Sequence, residues 1–159
     1  MFTFSKVWSR IVKLSNKTEY AILALMELGQ RYGRGYVHSR EIARSRDIPP
    51  SFLERILLNL RNAGIVMSHR GANGGHCLAV DPKDISIREV IEIFEGSLAP
   101  ADCVNERSQM PMCHVAACCV IKDLWQNMYD AMLESIENVT LNNLVLQEKR
   151  GQEATMYYI

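Results

Sequence analysis

The chain has 159 residues, of which 48% are hydrophobic, and its formal net charge at pH 7 is zero. This length suits one domain with a small appended element, and the apolar share is large enough to form a core, which excludes global disorder. No apolar run is long enough to cross a membrane and no secretory signal is visible. We therefore expect a cytoplasmic protein whose thiols are reduced.

The charges are divided between the two halves of the chain. Residues 1–83 contain thirteen Lys and Arg against six Asp and Glu, whereas residues 84–159 contain five against twelve. A division of this size indicates a basic half that faces phosphate and an acidic half that does not. The alternative is an uneven surface that arose by chance.

The first helical pattern begins near Asn16. Residues 1–13 mix apolar and basic side chains, and we interpret them as an N-terminal extension. Three interpretations of this extension stay open. It could form an amphipathic helix that lies on a membrane or a partner, it could be a disordered arm, or it could precede the true translation start. After it, Asn16 and Glu19 match a capping box, and the apolar run that follows predicts a helix at the centre of the core.

Residues 14–83 have the pattern of a winged helix-turn-helix. Ser39–Asp47 reads as a short helix, and Pro50 can occupy the first turn of a second helix that Gly64 ends. The apolar face of the second helix is formed by five residues: Phe52, Leu53, Ile56, Leu57 and Leu60. Two strands, 65–70 and 76–80, flank a glycine-rich turn and predict a β-hairpin wing.

This arrangement predicts binding to double-stranded DNA. Side chains on the outer face of the second helix can reach base edges in the major groove, and an arginine on the wing can enter the minor groove. The predicted DNA contacts are Ser39, Ser51, Glu54, Arg55 and Arg61 from the helices, and Arg70 and Asn73 from the wing. The alternative is a solvated helix followed by an ordinary hairpin.

The second half of the chain contains two further helical patterns separated by a loop. Residues 84–101 form a connecting helix with a capping box at Ser86 and Glu89, and residues 102–119 form the loop. Apolar residues at spacings of three and four over 120–139 predict a long amphipathic helix. Thr140 is expected to cap a short helix over Leu141–Leu146, before a tail of residues 147–159.

The long helix is expected to pair with a second copy of the chain. A homodimer would place two recognition helices in successive major grooves of a near-palindromic operator. The alternative is that the apolar stripe covers only its own domain. The fold class is therefore mainly α with a small β-hairpin wing, that is, a winged helix-turn-helix domain with a long C-terminal dimerisation helix over 120–146.

The loop over residues 102–119 holds four of the five cysteines. Thiolates are soft ligands that select zinc or iron–sulfur clusters, so a metal-binding sensor is one interpretation and a plain thiol sensor is another. Zinc is less favoured because no Cys-x-x-Cys pair is present. An enzyme is not supported, since the sequence has neither a nucleophile triad nor a phosphate-binding loop. A third class is a pure interaction module that uses the long helix, and such a protein would show no salt-dependent DNA binding.

Over about residues 13–146 the sequence resembles the IscR/NsrR/RirA-type family of bacterial winged-helix regulators. The resemblance depends on four segments: Lys13–Ala21, Phe52–Gly64, Arg70–Gly75 and Asp102–Trp125. It implies a homodimeric transcription factor that senses iron, redox state or nitric oxide. Many members carry an iron–sulfur cluster, either [2Fe-2S] or [4Fe-4S], on three cysteines just before the dimerisation helix.

The resemblance also implies a set of ligands. The matching cysteines are Cys103, Cys113 and Cys119, and the gap between the first two is longer than is usual in the family. Lys122 stands where some members have a ligating histidine. In others the fourth ligand is an acidic residue from the partner subunit, which here corresponds to Glu19. Cys118 is the alternative ligand, and His114 is a further candidate.

Overall fold

The computed structural model describes residues 14–71, 74–105 and 119–156. These residues form six α-helices and one antiparallel hairpin. In chain order the elements are α1 (Asn16–Gln30), α2 (Ser39–Ser45), α3 (Pro50–Asn62), β1 (Val66–His69), β2 (Gly75–Leu78), α4 (Ile87–Glu95), α5 (Val120–Ile136) and α6 (Leu141–Met156). The predicted fold class, a winged helix-turn-helix followed by a long helix, is confirmed.

Helix α1 is the centre of the core, as its apolar sequence predicts. It packs against α2, α3, α4, α6 and β2, and Ala21, Ala24 and Leu25 are fully buried. The predicted capping residue is wrong, because Ser15 is the N-cap and Asn16 is the first helical residue. Glu19 is exposed on the first turn.

Helices α2 and α3 form the helix-turn-helix. Leu53, Ile56, Leu57 and Leu60 of α3 are at most 2% exposed, so these four members of the predicted apolar face are confirmed. Phe52 is the exception, with 45% exposure. It precedes Leu53 by one residue, which is about 100° around the helix, and therefore lies beside the buried stripe. Its ring meets that of Tyr20 edge-on, with centroids 6.2 Å apart.

The wing is a two-stranded hairpin in which Val66 pairs with Leu78 and His69 pairs with Gly75. Val37, just before α2, adds a bridge to His76 through two backbone hydrogen bonds of 2.8 Å. Gly75 is required at this close approach, because a Cβ there would lie 2.5 Å from the Val37 carbonyl oxygen. The wing is thus fixed to the start of α2 as well as to α3.

Helix α6 is longer than the predicted Leu141–Leu146, and the predicted tail over residues 147–159 is wrong because α6 continues to Met156. Thr140 caps this helix as predicted: Asn143 N–H donates to Thr140 Oγ1 at 3.3 Å, and Thr140 N–H donates to Asn143 Oδ1 at 2.8 Å. Leu141 and Val145 are buried against α1. The extension beyond them is held by Glu148, which binds side chains of α1 and of the residue that ends α2.

Helix α5 is the long helix that the sequence predicts, and the first part of its apolar stripe is exposed in the described part of the chain. Val120, Ile121 and Leu124 are 81%, 57% and 54% exposed, and Tyr129 is the only residue of α5 that is buried. The described parts of the chain leave the start of the stripe exposed, whereas Ile136 near its end packs against the core. Pairing with a second copy and covering of its own domain therefore both stay predictions. Within the described parts, no helix combines the length and apolar character needed to cross a membrane.

Candidate nucleic-acid interface and cysteine loop

A cleft of about 650 Å³ lies between α3, the start of α2 and the wing. Five of the seven predicted DNA contacts line it: Ser39, Glu54, Arg55, Arg61 and Arg70. They come from three separate elements, so the fold brings together side chains that are up to 31 positions apart in the sequence. Concave surfaces that collect several arginines suit a polyanion.

Helix α3 supplies the base of this cleft. Glu54, Arg55 and Arg61 are exposed on its outer side, while Leu57 is buried beneath them. The buried stripe fixes the rotation of the helix, and that rotation points the polar residues outward. Ser51 is exposed on the first turn of α3 but does not line the cleft. Asn73 lies outside the described residues.

The sequence interpretation missed Ser68 and His76, which also line the cleft. They are paired across the hairpin, and Ser68 Oγ lies 2.9 Å from His76 Nδ1. Burial and the nearby positive charge of Arg61 lower the pKa of His76 below its ordinary value of 6.5. Alternation along the predicted strand 65–70 offered a signal, since Ser68 is two residues before Arg70.

Glu54 is the one carboxylate among three arginines in the cleft lining. The cleft therefore has an excess of positive charge, together with an acceptor that can receive a hydrogen bond from the cytosine amino group. Arginine side chains suit both phosphate and guanine, because their planar fork donates two parallel hydrogen bonds. The arrangement can hold a phosphate backbone and also distinguish bases.

The structure describes only part of the predicted metal site. Cys103 is exposed on a 3₁₀ turn, Asp102–Val104, which packs against α5, and Cys119 is the half-exposed N-cap of α5. Cys113, Cys118 and His114 lie outside the described residues. Among those that are described, no group of three His, Cys, Asp or Glu side chains is arranged to hold a metal ion. The ligand set thus stays a prediction.

The N-terminus of α1 is capped from a distant part of the chain. Glu95, the last residue of α4, accepts hydrogen bonds from Ser15 N–H at 2.8 Å, from Ser15 Oγ at 2.6 Å and from Thr18 Oγ1. These hydrogen bonds, with Lys17 nearby, lower the pKa of Glu95. Glu95 therefore accepts the hydrogen bond from the N-cap N–H, which is the role that the predicted capping box assigned to Glu19.

Comparison with known proteins agrees with this fold and cleft. Residues 14–147 match the Rrf2 family, described as "Iron-dependent Transcriptional regulator". The HTH-type transcriptional regulator CymR of Bacillus subtilis is 30% identical over 148 residues, which are 93% of this chain and 100% of CymR. Its structure, titled as that of the global cysteine regulator of B. subtilis, has a TM-score of 0.70 at 29% identity and covers 86% of this chain and 98% of that one.

Two further structures are similar over most of their length. IscR of T. potens has a TM-score of 0.73 at 30% identity, over 94% of this chain and 99% of IscR. The oxidized form of Staphylococcus aureus CymR has a TM-score of 0.65 at 30% identity, over 84% of this chain and 96% of that one. The winged helix and these matches show that the chain belongs to the Rrf2 family of DNA-binding transcriptional regulators, and it is a regulator rather than an enzyme.

Proposed function

We propose that this regulator reads double-stranded DNA with the cleft between α3 and the wing. The observation that carries the proposal is the convergence of Arg55, Arg61 and Arg70, together with Glu54, on one concave surface. In this arrangement α3 enters the major groove, where Ser51, Glu54 and Arg55 face base edges, and Arg70 enters the adjoining minor groove. Ser39 and Arg61 contact the DNA backbone, and Asn73 is a further predicted contact.

Substitution of Arg70 tests this assignment. Arg70→Ala should weaken binding by about tenfold, with the largest loss on duplexes whose flanks are A·T-rich, because a narrow minor groove concentrates negative potential. The measurement is fluorescence anisotropy at fixed salt, on a duplex that the protein itself enriches from a random library. Lys149→Ala, which removes a charge from exposed α6, is the matched control and should change affinity little. An equal loss on all flanking sequences would assign Arg70 to phosphate alone.

We further propose that the regulator is a homodimer that binds a near-palindromic operator, with α5 at the interface. The exposure of Val120, Ile121 and Leu124 supports this, since a contiguous apolar stripe in water favours association. Leu124→Asp should give monomers in sedimentation velocity. Lys122→Gln makes the same change of one charge unit at an exposed position two residues from Leu124, on the opposite side of α5, and should leave the dimer intact. A dimer that survives Leu124→Asp contradicts the assignment.

The proposed sensor is an iron–sulfur cluster, [2Fe-2S] or [4Fe-4S], on Cys103, Cys113 and Cys119. Thiolates are suitable ligands for such a cluster, and the turn that carries Cys103 packs against the helix that begins at Cys119. Glu19 of the partner subunit is the proposed fourth ligand, and Cys118 is the alternative. The exposure of Glu19 leaves it accessible to a second subunit.

A cluster-free thiol regulator, or a zinc-binding one, is the alternative of the same fold. Two likenesses favour the thiol alternative: CymR of B. subtilis is named a global cysteine regulator, and CymR of S. aureus has been solved in an oxidized form. The test is the visible spectrum of anaerobically purified protein, with iron, sulfide and zinc counted per chain. Iron and sulfide with visible absorption support the cluster. Colourless, iron-free protein that also fails to take up iron and sulfide on reconstitution excludes it.

The sensor acts on DNA binding through its position between α4 and α5. A cluster would fix the loop and hence the angle of the dimerisation helix against the winged helix, and its loss would change the spacing of the two recognition helices. Cluster-loaded and cluster-free protein should then differ in affinity for one operator at fixed salt. Equal affinity of the two forms contradicts the switch.

A further inference from the structure

His76 lines the proposed DNA cleft, and its backbone pairs with Val37 on one side and with Ser68 on the other. Its backbone exchanges two hydrogen bonds of 2.8 Å with Val37, and the residue is paired with Ser68 in the hairpin. The imidazole Nδ1 is 2.9 Å from Ser68 Oγ. This contact occupies one ring nitrogen and leaves Nε2 for another partner. The ring is therefore positioned before any ligand arrives.

The charges around His76 oppose its protonation in the free protein. Arg61 and Arg55 face the cleft from α3, and Arg70 does so from the wing, whereas Glu54 is the only carboxylate in the lining. The neutral partners are Ser68 on β1 and Ser39 at the start of α2. Partial burial and the charge of Arg61 lower the pKa of His76, so the ring is neutral near pH 7.

A phosphate group in the cleft shifts His76 from the neutral toward the protonated form. Its negative charge offsets that of Arg61 and favours the imidazolium, whose second N–H can donate to a phosphate oxygen while Ser68 Oγ accepts from the first. We propose that His76 takes up a proton from solution when DNA enters the cleft and becomes a charged contact to the phosphate backbone. DNA affinity then depends on pH through this one residue. The inference rests on the proposed function of the cleft.

Because proton uptake is linked to DNA binding, the direction and the maximum size of the pH dependence of DNA affinity can be stated. Because the DNA-bound state holds the proton more tightly, affinity rises as the pH falls through the bound-state pKa of His76, and it levels off below the free-state pKa. Uptake of one proton gives at most about a tenfold gain in affinity per pH unit. The additional phosphate contact should also steepen the dependence of log affinity on log salt by about 0.9 at the acidic end.

The test compares wild type, His76→Gln and His69→Gln on the library-enriched duplex from about pH 5 to about pH 8. Glutamine keeps a polar side chain but does not titrate. His69 is the matched control, because it lies on the same hairpin but stacks on Tyr36 and does not line the cleft. Thermal unfolding establishes that each variant is folded. Wild type and His69→Gln should show the rise in affinity and the steeper salt dependence at low pH, and His76→Gln should show neither.

Calorimetric titration in two buffers of different ionisation enthalpy measures the proton directly. At a pH near the bound-state pKa of His76, wild type should take up a fraction of a proton per chain when it binds DNA. The His76→Gln variant should lack this fraction. Equal pH dependence in wild type and His76→Gln, or pH-independent binding by wild type, overturns this inference alone. Failure of wild type to bind DNA at any pH overturns the proposed function of the cleft together with it.

Discussion

Arg46 links three parts of the chain, and its substitution gives the sharpest test of how the winged helix is held. It is the C-cap of α2, and its guanidinium donates to Glu27 of α1 at 3.1 Å and, through both terminal nitrogens, to Glu148 of α6. The side chains of Arg46, Glu27 and Glu148 are 11%, 7% and 23% exposed. Gln30 donates to the same Glu148 carboxylate at 2.7 Å. These carboxylates raise the pKa of Arg46, and Arg46 in turn lowers that of Glu148.

Arg46→Met removes the cation and leaves two carboxylates partly buried. Loss of one partner from a buried ion pair costs about 3–5 kcal/mol. The cost here is reduced because Glu148 is partly exposed and because Arg31 still contacts Glu27 at 3.0 Å. We therefore expect a loss of about 2–3 kcal/mol in the free energy of unfolding, or about 5–10 °C in Tm for a chain of this size. Glu148→Gln keeps the shape but loses a charge and should cost about 1–2 kcal/mol.

Urea unfolding followed by circular dichroism, at matched protein concentration, measures these losses. Glu41→Gln is the control: its carboxylate also pairs with an arginine, at 3.5 Å, but it is 52% exposed and should change stability by less than about 0.5 kcal/mol. The contribution of Glu148 is present above its ordinary pKa of 4.5 and is lost as the pH falls through its lower folded-state pKa. If Arg46→Met is no more destabilising than Glu41→Gln at neutral pH, the network does not hold α6 to the helix-turn-helix.

Three further predictions concern stability. Glu95→Gln should cost about 1 kcal/mol in urea at neutral pH, and the difference from wild type should fade as the pH falls below 4.5, since the folded-state pKa of Glu95 is lowered. A urea midpoint of Glu95→Gln equal to that of wild type at neutral pH would contradict this prediction. Gly64→Ala should lower stability by about 1 kcal/mol because Gly64 has a φ of 78°. Leu60→Ala, at a fully buried position, should cost about 3 kcal/mol, whereas Leu58→Ala, at 46% exposure, should cost under about 1 kcal/mol by the same measurement.

The parts of the fold that the sequence predicts well depend on local patterns. The buried stripe of α3 follows helical spacing from Leu53 to Leu60, and the hairpin follows two short strands around glycines. These patterns also orient the cleft, because a helix with one buried stripe has only one way to turn its polar face outward. Five of the predicted DNA contacts consequently fall on one surface.

The interpretation failed where long-range polar contacts decide the structure. Residues 147–156 have no apolar rhythm that distinguishes a helix from a tail, yet α6 continues through them with Glu148 bound to Arg46, 102 positions away. The N-cap residue of α1, Ser15, is bound by Glu95, 80 positions away. Neither partner carries a local signal, since a carboxylate on a helix usually faces solvent. Such pairs become visible only when the packing of the helices is known.

The contacts of Glu95 and Glu148 also change how the division into a basic and an acidic half is interpreted. The sequence suggested that the basic half faces DNA and that the acidic half stays apart from it. In the structure, Glu95 and Glu148 from the acidic half bind opposite ends of α1 in the basic half, and Glu148 neutralises Arg46. Some charges of the two halves therefore pair with each other inside the chain. Arg46, for example, binds Glu27 and Glu148 and does not line the cleft. The cleft between α3 and the wing collects Arg55, Arg61 and Arg70, and none of the described acidic residues from the second half lines it. Helix α1 is thus bound at its start by α4, which precedes the cysteine loop, and at its end by α6, which follows α5.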